Sequence, residues 1–381
     1  MVSAYGVGVG RCLEALRAGR SAFRPAGGRL PPALAAFPVA AADAVSAEPS
    51  GRVAGLLRAL FAKADTVPRE AEVYAATTVG EIGRIEAEVL AGAPAADECR
   101  IGLLGRQVAA MLNLEGGAVQ TISSACASST VALALAASAI RRGETECALV
   151  VGCDALSEFV LSGFAALMAL DPSGARPFDA ARRGITLGEA AAFGLLMSRE
   201  RAEREGRPCL GVIGGWGLTC DANHLTGPSR DGAPLAEAAR AALAMAGCAP
   251  EQTVAVCAHG TGTAYNDQME MLAFKRLFAE RPRPVFSVKG GMGHTMGAAG
   301  LAEALLAIEC LRGGLVPPTV GLREVSDVAQ GWVSAEVCPV AASGVILTTN
   351  SGFGGVNAAL AVTVESVPEA VSGAGRAHWG G

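Results

Sequence analysis

The chain has 381 residues, of which 51% are hydrophobic and only 18% are charged, and its formal net charge is −5. This charge offers no basic stripe for nucleic acid or for a membrane surface, and an aromatic share of 4% disfavours base-stacking platforms. We expect neither a membrane-spanning helix nor a secretory signal, because the apolar runs are too short. The composition indicates a large apolar core and a surface partly covered by a partner subunit.

The 11 cysteines form neither CxxC pairs nor Cys/His clusters. Their odd number and their spacing favour neither a disulfide framework nor a zinc site. We therefore expect free thiols in a reduced cytoplasm, and no metal. The 49 glycines are more informative, because they cluster around the few histidines and cysteines, where backbone can approach a ligand.

Cys126 lies between two predicted elements of the first half of the chain. The apolar run 119–122 predicts a buried strand, and residues 127–142 predict a helix. A thiol at a helix N-terminus is favoured as the thiolate by the macrodipole and the free N–H groups. Cys126 is therefore a candidate nucleophile, although a buried core residue is the common alternative for a free cysteine.

The remaining elements alternate between strands and helices in both halves. In the first half, runs 147–152 and 191–197 predict buried strands with a helix over 159–170 between them, and the charged run 199–208 predicts an exposed connector. The second half repeats this plan, with strands and helices predicted over 210–215, 234–246, 253–259, 269–280, 297–312, 345–350 and 358–364. We predict an α/β architecture with two similar halves, 1–205 and 206–366, followed by a disordered tail over 367–381.

Two of the four histidines lie in glycine-rich loops that follow predicted strands. His259 opens the run His-Gly-Thr-Gly-Thr, and His294 closes the run Lys289-Gly-Gly-Met-Gly-His before a helix. An ordinary core or surface histidine is the alternative for each of them taken alone. Lys289 needs a carboxylate partner if it is buried, and Glu303 on the following helix could supply it; a solvated lysine is the alternative.

These motifs together resemble the β-ketoacyl-[acyl-carrier-protein] synthases, the condensing enzymes of type II fatty acid and polyketide synthesis. The resemblance is carried by Ser-Ala-Cys126-Ala-Ser, by the two histidine runs and by Gly352-Phe-Gly-Gly, which occur in the order and spacing of that family. It implies a thiolase-like fold of five αβαβα layers built from two pseudo-duplicated halves. It also implies a dimer, with acyl carrier protein as the partner that delivers the substrates on phosphopantetheine, and no cofactor or metal.

The resemblance further implies a decarboxylative Claisen condensation and a role for each residue. Cys126 would accept the acyl group, His259 and His294 would stabilise the enolate left by decarboxylation, and Lys289 held by Glu303 would support His294. The resemblance also implies substrate contacts. The backbone N–H of Phe353 would lie in the oxyanion hole, and Thr261 and Thr263 would contact the pantetheine. Phe164 and Phe353 would gate the acyl tunnel, and the adjoining Gly354 would also contact substrate.

Several alternatives stay open on the sequence. The chain begins after the place of the family's first strand, so either the start is truncated or one sheet lacks an edge. The chain could be active only beside a chain-length-factor-like subunit, or could itself be that non-catalytic subunit, although its nucleophile is intact. A thiolase that condenses without decarboxylation, and a cysteine hydrolase, are less consistent with two glycine-framed histidines and Lys289.

Overall fold

The computed structural model describes residues 1–26, 33–43, 45, 51–62, 67–94 and 96–364. The tail predicted over 367–381 lies outside these residues. Helices are described at α1 Val9–Arg17, α2 Arg52–Phe61, α3 Ile82–Leu90, α4 Leu104–Met111, α5 Ser128–Arg141, α6 Glu158–Ala166, α7 Arg199–Glu205, α8 Ala233–Met245, α9 Ala264–Phe278, α10 Lys289–Met292 and α11 Ala299–Gly313.

Strands alternate with these helices through both halves. They are β1 Val2–Ser3, β2 Gly6–Val7, β3 Arg24–Pro25, β4 Pro38–Ala40, β5 Glu72–Ala76, β6 Val119–Ile122, β7 Cys147–Asp154, β8 Leu187–Gly188, β9 Ala190–Met197, β10 Val212–Cys220, β11 Thr253–Cys257, β12 Val285–Phe286, β13 Leu315–Val316, β14 Cys338–Pro339, β15 Val345–Gly352 and β16 Val356–Thr363.

Two mixed sheets organise the described part of the chain. The first has the strand order β2-β1-β9-β7-β5-β6, and the second has the order β10-β16-β15-β11-β12. In the first sheet β5 pairs in parallel with both β6 and β7, whereas β9 runs antiparallel to β7. The second sheet has the same mixture, because β11 and β15 are parallel and β15 and β16 are antiparallel.

Helices cover both outer faces of this pair of sheets and fill the space between them. Helices α2 and α4 pack on the outer face of the first sheet, and α8 packs on the outer face of the second, with α9 beside it. Helices α5 and α11 lie between the sheets, contact each other and contact strands of both. The layers are therefore α-β-α-β-α, which confirms the predicted thiolase-like fold.

The two central helices have sequences that suit a layer buried on both sides. Helix α5 is composed mainly of alanine, leucine and small hydroxyl residues, and α11 buries most of its length, from Ala299 to Leu311. A helix that is apolar nearly all round must be covered on all sides. Each of these helices begins shortly after a candidate site residue, Cys126 for α5 and His294 for α11, so the middle layer carries the site.

One sequence-based expectation about an element is wrong. The run 119–122 was expected to be buried, but β6 is an edge strand and Val119 is 39% exposed. The run 199–208, expected to be an exposed connector, does link β9 to β10 without burying any residue of Arg199–Glu205, which forms the short helix α7. This helix begins where the Ser198 side chain accepts the Arg201 N–H and ends at left-handed Gly206.

Among the described residues, no helix is both long and apolar enough to span a lipid bilayer.

Candidate active site

The turn between β6 and α5 presents Cys126 toward the space between the sheets. Ala125 adopts a left-handed φ of 47°, a costly conformation for a residue with a Cβ atom. Ser128 holds the turn, because its hydroxyl accepts the Ser124 N–H at 2.8 Å and donates to the Ala125 carbonyl at 2.6 Å. Cys126 is only 7% exposed and lies two residues before α5 begins.

The loop that carries His259 is held by a buried carboxylate on α9. Glu270 accepts the backbone N–H groups of His259 and Gly260 at 2.7 Å each. Gly260 is required here, because a Cβ atom would lie 2.5 Å from the Ser287 side chain. Burial raises the pKa of Glu270 to about 8, and the nearby Asp267 charge acts in the same direction.

His294 is fixed by backbone pairing with residues around β8. Its N–H donates to the Thr186 carbonyl at 2.7 Å, and its carbonyl accepts the Gly188 N–H at 2.9 Å. Its Nε2 lies 2.9 Å from the Sγ of Cys126, and its Nδ1 has no hydrogen-bond partner among the described residues. His294 therefore contacts the thiol and retains hydrogen-bonding capacity.

The thiol and both imidazoles form one buried cluster. Ligand atoms of Cys126, His259 and His294 all lie within 4.8 Å of one another, and the two rings meet edge to face with centroids 5.2 Å apart. A thiol and two imidazoles are also donors that zinc prefers. The positive charge of Lys289, which acts on all three groups, opposes a dication at this place. The absence of a metal cofactor stays a prediction.

The protonation of the cluster is set mainly by burial. Burial raises the pKa of the Cys126 thiol to about 12, although the Lys289 charge acts in the opposite direction. Burial lowers the pKa of His259 and of His294 well below 6.5, and the Lys289 charge lowers both further. The resting site therefore holds a neutral thiol beside neutral imidazoles. The sequence-based expectation of a thiolate stabilised by the helix N-terminus is wrong for this resting site, because desolvation dominates.

Lys289 and Glu303 form the ion pair that the sequence suggested. The ammonium Nζ lies 2.5 Å from Oε1 of Glu303, and each side chain is 1% exposed. The other oxygen, Oε2, accepts a hydrogen bond from the amide of Asn350 at 2.8 Å. A buried charge pair needs such additional hydrogen bonds to offset its desolvation, and here the pair has one at the carboxylate.

The glycine turn after β15 packs directly on the cysteine turn. A Cβ atom on Gly352 would lie 3.3 Å from the Cys126 nitrogen and 3.1 Å from the Ser124 carbonyl. Phe353 and Gly354 follow in the same turn; Phe353 is 39% exposed, and the Gly354 N–H donates to Leu225 O. The turn therefore packs Gly352, the residue before Phe353, against the nucleophile turn, and the oxyanion-hole role of the Phe353 backbone stays a prediction.

The predicted substrate contacts are less enclosed than the catalytic cluster. The ring of Phe164 on α6 lies 5.6 Å from the ring of Phe353, measured between centroids. Thr261 and Thr263 place their hydroxyl oxygens 3.0 Å apart in the loop that follows His259. Thr261 is buried and Thr263 is half-buried. Their roles toward a substrate stay predictions.

Sequence reasoning missed two residues that organise this site, Asn350 and Glu270. Asn350 immediately precedes the Ser-Gly-Phe-Gly-Gly turn, so its position beside a recognised motif was the available signal. Glu270 is one of two acidic residues, with Asp267, on the otherwise apolar face of α9. A carboxylate on a buried helical face needs donors, and the preceding glycine loop supplies them.

Comparison with known proteins matched most of the chain. The family model described as beta-ketoacyl synthase, N-terminal domain, matches residues 63–202, and the model described as beta-ketoacyl synthase, C-terminal domain, matches residues 210–323. In solved structures, the ishigamide ketosynthase/chain length factor superposes with a TM-score of 0.86 and 30% identity, covering 95% of this chain and 96% of that chain.

Curated relatives align with a smaller part of the chain than the solved structure does. Nodulation protein E of Rhizobium meliloti is 37% identical over 258 residues, which are 67% of this chain and 64% of the relative. Putative polyketide beta-ketoacyl synthase 1 of Streptomyces virginiae is 34% identical over 269 residues, which are 68% of this chain and 63% of the relative. The chain thus spans less than two thirds of the length of these two relatives. From the two matched family models and the shared fold, the chain belongs to the β-ketoacyl synthase family.

Proposed function

We propose that this chain is a β-ketoacyl-[acyl-carrier-protein] synthase that extends an acyl group held on Cys126 by decarboxylative condensation with a malonyl thioester. The observation that carries this proposal is the buried cluster in which the His294 Nε2 lies 2.9 Å from the Cys126 Sγ with His259 beside them. Membership of the family supports the same reaction class.

In the first half-reaction, Cys126 takes the acyl group from a carrier thioester. Because the resting thiol is protonated, its proton passes to the neutral Nε2 of His294 as sulfur attacks the thioester carbonyl. The backbone N–H groups of Cys126 and Phe353 stabilise the oxyanion. The carrier thiolate then leaves and is protonated by solvent, while the His294 imidazolium releases its Nδ1 proton to solvent and remains as the neutral Nε2–H tautomer for the next step.

In the second half-reaction, a malonyl thioester loses CO2 next to the two histidines. The bond to the carboxyl carbon breaks, and its electrons form an enolate whose oxygen accepts hydrogen bonds from His259 and His294. The carbanion attacks the carbonyl of the acyl-Cys126, and the Cys126 thiolate leaves and takes up a proton from solvent. The extended 3-oxoacyl thioester departs on its carrier.

We further propose that acyl carrier protein delivers both substrates on phosphopantetheine and that a second ketosynthase-like subunit completes the enzyme. The structural neighbour named as a ketosynthase with its chain length factor supports a heterodimer, and a homodimer is the second possibility. The buried cysteines Cys12, Cys126 and Cys257 form no disulfide, which supports a reducing compartment such as the cytoplasm.

The thiolase alternative places a second cysteine near the reacting carbon as a base. Cys257, two residues before His259, lies within β11 and is fully buried. Burial raises its pKa well above 9, and the cluster around the Cys126 sulfur consists of two histidines instead. This geometry favours decarboxylation.

The test uses the chain alone and the chain co-expressed with a candidate partner subunit. Each preparation is given a panel of acyl carrier proteins and then malonyl carrier protein. We expect an acyl adduct on Cys126, release of one CO2 per condensation, and loss of both adduct and product in Cys126→Ala. Cys257→Ala is the matched control and should keep the adduct. An adduct elsewhere, or product without CO2 release, overturns the proposal; turnover only with the partner identifies the heterodimer.

A further inference from the structure

Asn350 makes three hydrogen bonds, to a residue on α5, a residue on α11 and a residue in the loop after β11. It lies on β15, is fully buried, and belongs to none of the motifs that identified the site. Its Nδ2 lies 2.8 Å from Oε2 of Glu303 and 3.3 Å from Nδ1 of His259. Its Oδ1 lies 2.5 Å from the Thr130 hydroxyl on α5. Its two N–H donors and its carbonyl are thus each occupied.

These contacts determine which way the amide faces. Glu303 carries the buried ion pair with Lys289, so its carboxylate can only accept hydrogen bonds. The NH2 group of Asn350 must therefore face Glu303, and the carbonyl must face Thr130, whose hydroxyl can donate. The second N–H of the same NH2 group points to His259, which leaves the Nδ1 of that ring as an acceptor.

We propose that Asn350 is a positioning residue that fixes His259 as the tautomer with a bare Nδ1 and a protonated Nε2. A neutral imidazole carries one proton, so an Nδ1 that accepts from Asn350 places the N–H at Nε2, on the opposite side of the ring. The consequence for catalysis rests on the proposed function: the Nε2–H is the hydrogen bond that His259 donates to the enolate oxygen.

Asn350 also connects His259 to the Lys289–Glu303 ion pair and to the helix that follows the nucleophile. Lys289 lies in the loop that leads to His294, whereas the hydrogen-bonded chain Lys289–Glu303–Asn350 ends at His259. The ion pair therefore orients the amide that selects the His259 tautomer, a function additional to its support of His294. Groups that orient a metal-ligating imidazole in this way commonly contribute about 10–100-fold to activity, and we expect an effect of the same order for His259.

The direct test is a 15N NMR measurement of the ring nitrogens in histidine-labelled full-length protein. The chain has only four histidines, so His259→Gln assigns the resonances. In the wild type we expect a pyridine-type Nδ1 and a pyrrole-type Nε2 for His259. In Asn350→Asp, an oxygen replaces the NH2 group, so Nδ1 should become protonated and the two shifts should exchange.

Asn350→Leu removes the donor without adding an acceptor and should leave His259 as a mixture of tautomers. Asn357→Leu is the matched control, because Asn357 is a buried asparagine on the adjoining β16 whose amide donates to Asp221 instead. It should leave both His259 shifts unchanged, whatever it does to turnover. Unchanged His259 shifts in Asn350→Asp and Asn350→Leu, with the fold intact by circular dichroism, overturn the proposal.

A kinetic measurement separates this role from a merely structural one. His294, not His259, lies beside the thiol, so Asn350→Leu should acylate Cys126 at nearly the wild-type rate and release CO2 from malonyl carrier protein about 10–100-fold more slowly. An equal loss in both half-reactions contradicts the positioning role. Because the NMR result needs no substrate, failure of the proposed reaction leaves the tautomer assignment independently tested.

Discussion

Cys126 is activated within a site that disfavours its thiolate. Burial raises the pKa of this thiol to about 12, so the thiolate fraction stays small near neutral pH and grows as the pH rises toward that value. We expect alkylation of Cys126 by iodoacetamide to accelerate steadily from pH 7 to pH 10 without a plateau. Peptide mass spectrometry measures the rate, with the exposed Cys220 as the reference for the reagent. A plateau below pH 8 means that the helix N-terminus outweighs desolvation.

The residues that sequence could identify share one property, a chemically unusual neighbourhood. Cys126, His259 and His294 each follow a predicted strand and are surrounded by glycine or small residues, which the sequence displays directly. Asn350 acts through a contact with a residue 91 positions away, His259, and Glu270 acts through the backbone of a loop that ends shortly before its own helix. Their places in the sequence are visible, but their hydrogen-bond partners are fixed only by tertiary packing. The protonation of Cys126 was mispredicted for the same reason, because burial is a tertiary property.

At the scale of elements, the close approach of α5 and α11 depends on a residue without a side chain. A Cβ atom on Gly300 in α11 would lie 1.9 Å from the Thr130 hydroxyl and 2.8 Å from the Thr130 nitrogen in α5. We expect Gly300→Ala to lower the free energy of unfolding by about 1–3 kcal/mol, because overpacking forces the helices apart. Chemical denaturation measures this change.

Gly163→Ala is the matched control for that substitution. Gly163 also lies in a helix, α6, but a Cβ atom there meets nothing within 4 Å. We expect the free energy of unfolding of this variant to rise by about 0.4–1 kcal/mol. Alanine reduces the entropy of the unfolded chain and has a higher helix propensity than glycine. A Gly300→Ala variant as stable as Gly163→Ala would show that the two central helices adjust without cost.

Most elements were predictable because the pattern of apolar residues, and the residues that typically begin or end an element, agree with the final structure. Helix α8 follows the predicted run 234–246 with Pro234 in its first turn, and β7 follows the continuous apolar run 147–152. The exception, β6, is explained by its position at the edge of a sheet. An apolar run predicts burial on both faces, but β6 is the last strand of its sheet, and strand order cannot be obtained from periodicity.

At the scale of the whole molecule, the β6 edge is the place where we expect the partner subunit to bind. An edge strand presents unpaired N–H and C=O groups that can template pairing with another chain, and Val119 adds exposed apolar surface there. Val119→Lys should weaken association, which sedimentation measures for the chain alone or with its co-expressed partner. Leu210→Lys is the control, because Leu210 is 53% exposed and lies outside any strand. If both variants associate as strongly as the wild type does, the interface lies elsewhere.

The distance along the chain between Cys126 and His294 has a consequence for how the protein folds. Their contact joins residues 168 positions apart, and the helices that follow them, α5 and α11, pack against each other between the two sheets. Contacts of such high sequence separation form late and slowly during folding, because chain entropy is lost before they contribute. A refolding chain should therefore regain secondary structure before it regains the capacity to become acylated. Acylation of Cys126 is accordingly a reporter of completed assembly as well as of chemistry.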